Sequence, residues 1–359
     1  MVSLELAEGL TWLQEFIRTK PTLLVGTGLS MAMGLPGMDE LHNHLKTSVP
    51  GACNGDSGLL AEWAGCSVLI SNHGLEGGLA RTTVSSALLN LIVGETAAFV
   101  ESRDVELRRR LNPRSLLEFP FARLLRHLVN SMPPGERIID VITSNYDHVV
   151  EYACDMIAVP CCTGFEGACV QPFRDDALSS SLYTRVVTSG KRRDPRHEYR
   201  KVDMVRILKP HGSLWWQKID DFAFQCPDRI PGASRILITP GLSKYFISLT
   251  DPVMNQVREL ANTSLAGARS VMVIGYGFND DHLQTVLLKR ISSGMRCLVL
   301  ARALTENAAS IVSQHSGVLA IEHDDCGCRW HMGGDSGLWE YGLWDLACFV
   351  DLVIGREEG

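Results

Sequence analysis

The chain has 359 residues, enough for one large core or two modest ones. Apolar residues make up 45% and charged residues 21%, the balance of a folded globular protein, so disorder is excluded as its main business. A formal charge of −7 excludes a chain-wide basic surface, and no direct nucleic-acid binding is expected.

The opening MVSLELAEGLTWLQEFIRTK carries early acidic residues and no long apolar run, so it does not read as a secretory signal. No stretch offers 18 clean apolar residues for a membrane span. The expectation is a cytoplasmic chain without membrane contact. Its eleven cysteines then read as thiols rather than disulfides. Cys161 and Cys162 are adjacent, and Cys326 and Cys328 are separated by one residue, whereas paired zinc ligands usually have two to four between them. No metal is expected, and Cys326, Cys328, His323 and His331 form a weak alternative.

Leu4, Leu6, Leu10, Leu13, Phe16 and Ile17 recur at helical spacing near the N-terminus. Pro21 opens the apolar run TLLVG, a predicted buried strand, and Gly26 and Gly28 follow it. MDELHNHL predicts a helix start with Asp39 in its first turn. Residues 50–80 are glycine-rich and show no clear period, while part of 84–108 reads as helix, so 50–110 is taken as a helical insertion in a single domain spanning 1–359. SLLEFPFARLLRHLVNS predicts another helix before Pro133 and Pro134.

RIIDVITSNYD is a strand meeting a polar loop. Residues 157–200 have mixed composition and read as a loop-rich insertion. Its end, GKRRDPRHEYRK (Gly190 to Lys201), reads as solvated, with a phosphate- or partner-facing patch as the alternative. DMVRILKPHGS is a second strand-to-loop junction. In the final third, helical and strand-like runs alternate from DPVMNQVRELANTSLAGA through GVLAIE, and the apolar end LWDLACFVDLVIG reads as buried strand or helix. The alternation predicts an α/β fold: a Rossmann-like, mostly parallel sheet with helices on both faces.

In such a sheet, ligands bind beyond the carboxyl ends of the strands. Four polar loops follow candidate strands. In VGTGLS, Gly26, Thr27, Gly28 and Ser30 enter a turn whose backbone N–H groups suit an anion; a plain strand-to-helix turn is the equal alternative. TSNYD offers Asn145 and Asp147, an amide and a carboxylate fit for ribose hydroxyls or for a turn. HGS offers His211, whose side chain suits proton transfer near neutral pH or a structural hydrogen bond. GYGFNDDHL holds Gly275 and Gly277, then Asp280 and Asp281 at a helix start, where capping competes with cofactor contact.

The order of these loops resembles the sirtuin, or SIR2-like, superfamily. Gly26-Thr27-Gly28-Leu29-Ser30 stands where sirtuins carry Gly-Ala-Gly-x-Ser. Gly34-Leu35-Pro36 matches their Gly-Ile-Pro, Thr143-Ser144-Asn145-Tyr146-Asp147 their Thr-Gln-Asn-x-Asp, and His211-Gly212 their His-Gly. The last loop is similar to the Gly-Tyr-Ser-Phe-x-Asp pattern of prokaryotic SIR2-like proteins. The resemblance implies NAD+ as substrate, Asn145 and His211 as catalytic residues, and Gly26, Thr27, Gly28, Ser30, Asp147, Gly275, Gly277 and Asp281 as the cofactor site.

Two departures bear on the nucleophile. Gly37-Met38-Asp39 lacks the arginine that deacetylases carry there. Residues 214–270 hold only Cys226, so the sirtuin zinc module with its paired cysteines is missing. The resemblance therefore implies water as nucleophile and NAD+ glycohydrolase activity of the prokaryotic antiphage type. NAD-dependent deacylation, ADP-ribosyl transfer, a non-catalytic NAD or ADP-ribose sensor and a scaffold subunit are the alternatives. The chain has little room for a large fused sensor, so a homo-oligomer with a defence-system partner is expected. A HerA-type ATPase leads, ahead of a short Argonaute or a nucleotide-signal producer.

Overall fold

The computed structural model describes residues 4–112, 118–180, 183–187, 197–238 and 251–355. The basic stretch at 190–201 lies largely outside them. Strands β1 (Thr22–Val25), β2 (Ile138–Thr143), β3 (Cys161–Cys162) and β4 (Gln171–Pro172) come first. The hairpin strands β5 (Tyr183–Val187) and β6 (His197–Lys201), then β7 (Met204–Leu208), follow. After them come β8 (Gly212–Ile219), β9 (Phe222–Gln225), β10 (Ser234–Leu237) and β11 (Ser270–Ile274). The last four are β12 (Arg296–Leu300), β13 (Val318–Asp324), β14 (Gly327–Met332) and β15 (Asp335–Trp339).

Nine strands form one sheet in the order β15-β14-β13-β12-β11-β1-β2-β7-β3. All pairings from β13 to β3 are parallel, and β14 and β15 close one edge as an antiparallel meander. The predicted parallel sheet is present, and the strands explain why. Val271, Met272 and Val273 are each fully buried, the continuous apolar run of a strand covered on both faces. Leu23 and Val25 face one core cluster, with Leu13, Phe16, Leu124 and Leu125 from the Leu6–Arg18 and Pro120–Asn130 helices. Leu24 faces the other, with Val257, Leu265, Leu283 and Val312 from the Pro252–Gly267, Asp281–Ser292 and Glu306–Gln314 helices. Each fully buried aliphatic side chain contributes about 1.5–3 kcal/mol of transfer free energy.

β1 sits between β2 and β11, so the sheet grows to one side of β1 and later to the other. This reversal is the switch point at which an open parallel sheet leaves a crevice. Strands β8, β9 and β10, directly after the His-Gly junction, form a separate antiparallel sheet with β4.

Between β1 and β2, the helices Met38–Ala52, Ser57–Ala80 and Ser86–Arg110 surround their own cluster of Leu45, Val49, Trp63, Cys66, Ile70, Leu88 and Ile92. The Ser57–Ala80 helix covers a stretch without readable period. Asp56 caps it, accepting from the N–H groups of Gly58 (2.8 Å) and Leu59 (3.1 Å). Gly74, at φ +73°, breaks it. A Cβ at Gly78 would lie 2.3 Å from Ile70 Cα, so the glycines let the chain fold back tightly on itself. The C-terminal apolar run forms the Leu346–Phe349 helix and one π turn, Val350–Ile354, with Phe349 and Val350 in the core. Asp345 caps it, and Asp351 pairs with buried Arg123 at 2.7 Å, so the two acids that interrupt the run punctuate its end.

Candidate active site

The loops after β1, β2, β7 and β11 meet at one cavity of about 210 Å³. Its lining includes Thr27, Ser30, Asn145, Asp147, His211, Gly275 and Gly277, so residues picked from four separate motifs share one wall. Gly26 and Gly28 lie behind it. The Gly26 N–H donates to Ile274 O and that of Gly28 to Gly275 O, both at 2.9 Å. A Cβ on Gly26 would sit 2.5 Å from Gly275 O, and one on Gly28 would sit 2.6 Å from Gly275 Cα. These glycines let the first and last loops stack backbone on backbone, and their N–H groups are committed to that contact. Asp281 opens the Asp281–Ser292 helix, and its side chain lies outside the described residues.

Asn145 and Asp147 are held from below. Asn145 Nδ2 donates to Gly26 O (2.9 Å) and Ser30 Oγ (2.8 Å), and Ser30 Oγ donates to Asp147 Oδ2 (2.7 Å). Asp147 Oδ1 accepts from the Val149 N–H at 3.1 Å. Burial pushes the Asp147 carboxyl above its usual range, against the pull of the Lys209 charge and the Ser30 hydrogen bond. Lys209 is completely buried. Its Nζ donates to Asp147 O and pairs with Glu151 Oε1 at 2.7 Å. The lysine two residues before His211 thus ties the β7 loop to the β2 loop.

His211 enters on a turn that only glycine fits. Gly212 has φ +82°, and a Cβ there would lie 2.1 Å from Ile236 O. The Leu214 N–H donates to Tyr146 O (3.1 Å), sewing this turn to the Asn145 loop. His211 Nε2 lies 2.5 Å from Asp280 Oδ2. Asp280 is 3% exposed, and its carbonyl accepts the Gln284 N–H as an N-cap residue does. Phe278, at φ +54° and fully buried, turns the preceding chain. Asn307 Nδ2 holds the loop by donating to Phe278 O and Asn279 Oδ1, each at 3.0 Å. Of the two adjacent acids, the structure brings Asp280 to the histidine.

The opposite wall comes from the helices between β1 and β2: Met38, Leu41, Glu76 and Val100. None of these carried a motif. Burial, Glu76 and Asp280 push the Tyr146 phenol far above its usual range. One buried polar chain joins this wall to the loops. Asp104 Oδ2 lies 3.1 Å from His148 Nδ1 and accepts from Tyr152 OH at 2.7 Å, and His148 Nε2 lies 3.2 Å from Ser213 Oγ. Burial alone would raise the Asp104 carboxyl; the His148 charge and the hydrogen bonds from His148 and Tyr152 outweigh it and hold it at about 2. Trp215 stacks on His148 at 3.7 Å, whereas Trp216 is core, the alternation expected along a strand.

All eleven cysteines are free thiols. Among the described residues, no group of three or more His, Cys, Asp or Glu is placed to hold a metal ion. Cys326 is exposed and Cys328 buried, and His331 Nε2 pairs with Glu322 Oε1 at 2.8 Å. Among the described residues, no helix is long and apolar enough to cross a membrane.

Residues 140–316 match the family model described as SIR2-like domain. One similar solved chain, described as "Structural Basis for the Mechanism and Regulation of Sir2 Enzymes", is 14% identical over 84% of this chain and 89% of its own, with a TM-score of 0.39. No curated protein matches. The matched region takes in the Asn145, His211 and Gly275 loops but not the glycine loop at 26–30. A SIR2-like domain implies NAD-related activity.

Proposed function

We propose that the protein is an NAD+ glycohydrolase that cleaves NAD+ to nicotinamide and ADP-ribose. The observation that carries this reading is the meeting of Asn145, Asp147 and His211 with the glycine loop in one cavity. The lining also fits a ligand with a cationic end. It contains Glu76, Asp147 and Asp280, and no Lys or Arg among the described residues. A carboxylate wall favours positive charge that develops when the nicotinamide–ribose bond breaks.

The chemistry is addition of water at the ribose carbon as nicotinamide leaves with the bonding electrons. Asn145, whose Nδ2 is fixed by Gly26 O and Ser30 Oγ, orients the nucleophile in this reading. His211 takes the proton that water loses. Leu35, Met38, Leu41 and Val100 give the cavity an apolar portion beside these polar groups. Water is favoured over an acyl-lysine because residues 214–270 carry a single cysteine where deacetylases carry a paired-cysteine zinc module.

Within this reading, the protein is a cytoplasmic effector of an antiphage defence system. It acts as a homo-oligomer under the control of a partner, with a HerA-type ATPase leading and a short Argonaute next. The test is NAD+ consumption by purified protein, alone and with its genomic neighbour, with nicotinamide, ADP-ribose and cyclised product separated. Asn145→Ala and His211→Ala are each expected to reduce cleavage by at least about 100-fold. Tight nucleotide binding without turnover in any assembled state overturns the enzyme reading in favour of a sensor.

A further inference from the structure

We propose that Glu101 and Asp104 are positioning residues for His211: one stripe of the Ser86–Arg110 helix holds the residues that follow the His211-Gly212 turn and so sets where the imidazole stands in the cavity. This rests on the reading of His211 as general base. Residues 101, 104 and 108 are three and four apart and project from one face of the helix. Each reaches a different residue of the segment Ser213–Trp215. Glu101 Oε2 accepts from Arg235 Nη2 at 2.7 Å, and Arg235 Nη1 donates to Leu214 O at 2.9 Å. Asp104 reaches Ser213 through His148. Its Oδ1 accepts the His148 N–H at 2.9 Å, its Oδ2 lies 3.1 Å from His148 Nδ1, and His148 Nε2 lies 3.2 Å from Ser213 Oγ. Arg108 Cζ stands 5.7 Å from the centre of the Trp215 ring, within cation–π range, and that ring stacks on His148 at 3.7 Å.

Little slack separates these contacts from the histidine. Gly212, alone between His211 and Ser213, is packed in a left-handed turn against Ile236 O, and His211 O accepts the Ile238 N–H at 3.0 Å. A shift of Ser213 therefore passes to His211 instead of being absorbed by a loop. Asp104, His148 and Ser213 are each 1% exposed, so water does not replace a lost partner. The same helix lines the cavity at Val100, one residue before the stripe. The wall that faces the cavity and the turn that carries the base thus share one rigid element, the support a working side chain needs.

The experiment compares the stripe with the far face of the same helix, where Arg103 Nη1 pairs with Glu106 Oε2 at 3.2 Å in solvent. In Glu101→Ala and in Asp104→Asn, turnover should fall at least about 10-fold while KM for NAD+ stays within about 3-fold. Glu101→Gln, which still accepts from Arg235, should recover part of the loss, and Arg103→Ala should stay within about 2-fold of wild type. In parallel, protein with ¹⁵N-labelled histidine is examined by ¹H–¹⁵N correlation, with the His211 ring signals assigned by their loss in His211→Gln. Those signals should move in Glu101→Ala and Asp104→Asn and hold still in Arg103→Ala. Glu101 is partly exposed, so Glu101→Ala carries the test if Asp104→Asn does not fold. His211 signals that stay in place in Glu101→Ala, or turnover unchanged there, overturn the proposal. So does an equal fall in Arg103→Ala. If the wild type does not cleave NAD+ at all, the glycohydrolase reading fails, and the ring signals still decide whether the stripe sets the position of His211.

Discussion

The two walls of the cavity are built by different means. The loop wall, at the carboxyl ends of β1, β2, β7 and β11, is locked by backbone contacts and buried polar bonds: Gly26 on Gly275, Asn145 on Gly26 O, Lys209 on Asp147 O. The helical wall rests on apolar packing around Trp63 and Ile70, and reaches the loops through a buried polar chain from Asp104 to Ser213 and through Arg235, which pairs with Glu101 and donates to Leu214 O. Hydrogen-bonded loops hold positions to fractions of an ångström, while an apolar cluster tolerates small shifts. The arrangement assigns precision to the loop wall and accommodation to the helical one.

Three substitutions test that division. The largest effect is expected at Lys209→Met, which leaves the partly buried Glu151 without its cation. Unfolding free energy should fall by about 3–5 kcal/mol, and pairing it with Glu151→Leu should restore most of the loss. Denaturant unfolding of the single and double variants checks this, and a near-neutral Lys209→Met would show the pair to be dispensable. Next comes Gly212→Ala, which forces a side chain into a left-handed turn against Ile236 O. A loss of about 2–3 kcal/mol is expected, with His211 displaced and turnover reduced more than stability.

The smallest effect is expected at the joint between the walls. The folded-state pKa of Asp104, about 2, lies below its ordinary value of 3.8. Its contribution is therefore complete above about pH 4 and is lost as pH falls through about 2. In Asp104→Asn, stability should drop by about 2 kcal/mol near neutrality, and the difference from wild type should vanish toward pH 2. Acid unfolding curves of the two proteins would separate this from a general carboxylate effect. A difference independent of pH would mean that packing, not charge, makes the joint.

The loop wall was legible in the sequence because its turns announce themselves: an apolar run, then glycine or Asx at a strand end. The helical wall was not. Glycines at 58, 65, 74, 77 and 78 erase the 3.6-residue period of the Ser57–Ala80 helix, so Glu76 carried no signal. Asp280 was within reach, since both acids at 280 and 281 suit a helix start. Local capping rules do not say which of two adjacent carboxylates turns to a partner 69 positions away in sequence (280 against 211). The left-handed Phe278 bears on that choice, and a bulky residue in that conformation is not expected from propensity. The antiparallel sheet of β8 to β10 was missed for another reason. Positions on both sides of β8 are buried, so no clean alternation marks it.

The central position of β1 has a consequence for synthesis. β1 pairs with β2, more than a hundred residues downstream, and with β11, nearly two hundred and fifty downstream. On a ribosome, Gly26 waits for Gly275, and His211 for Asp280, before the crevice closes. Such long-range closure is slow relative to local helix formation. A growing chain therefore carries its glycine loop for most of its synthesis without a crevice to line, and that crevice is completed late and all at once.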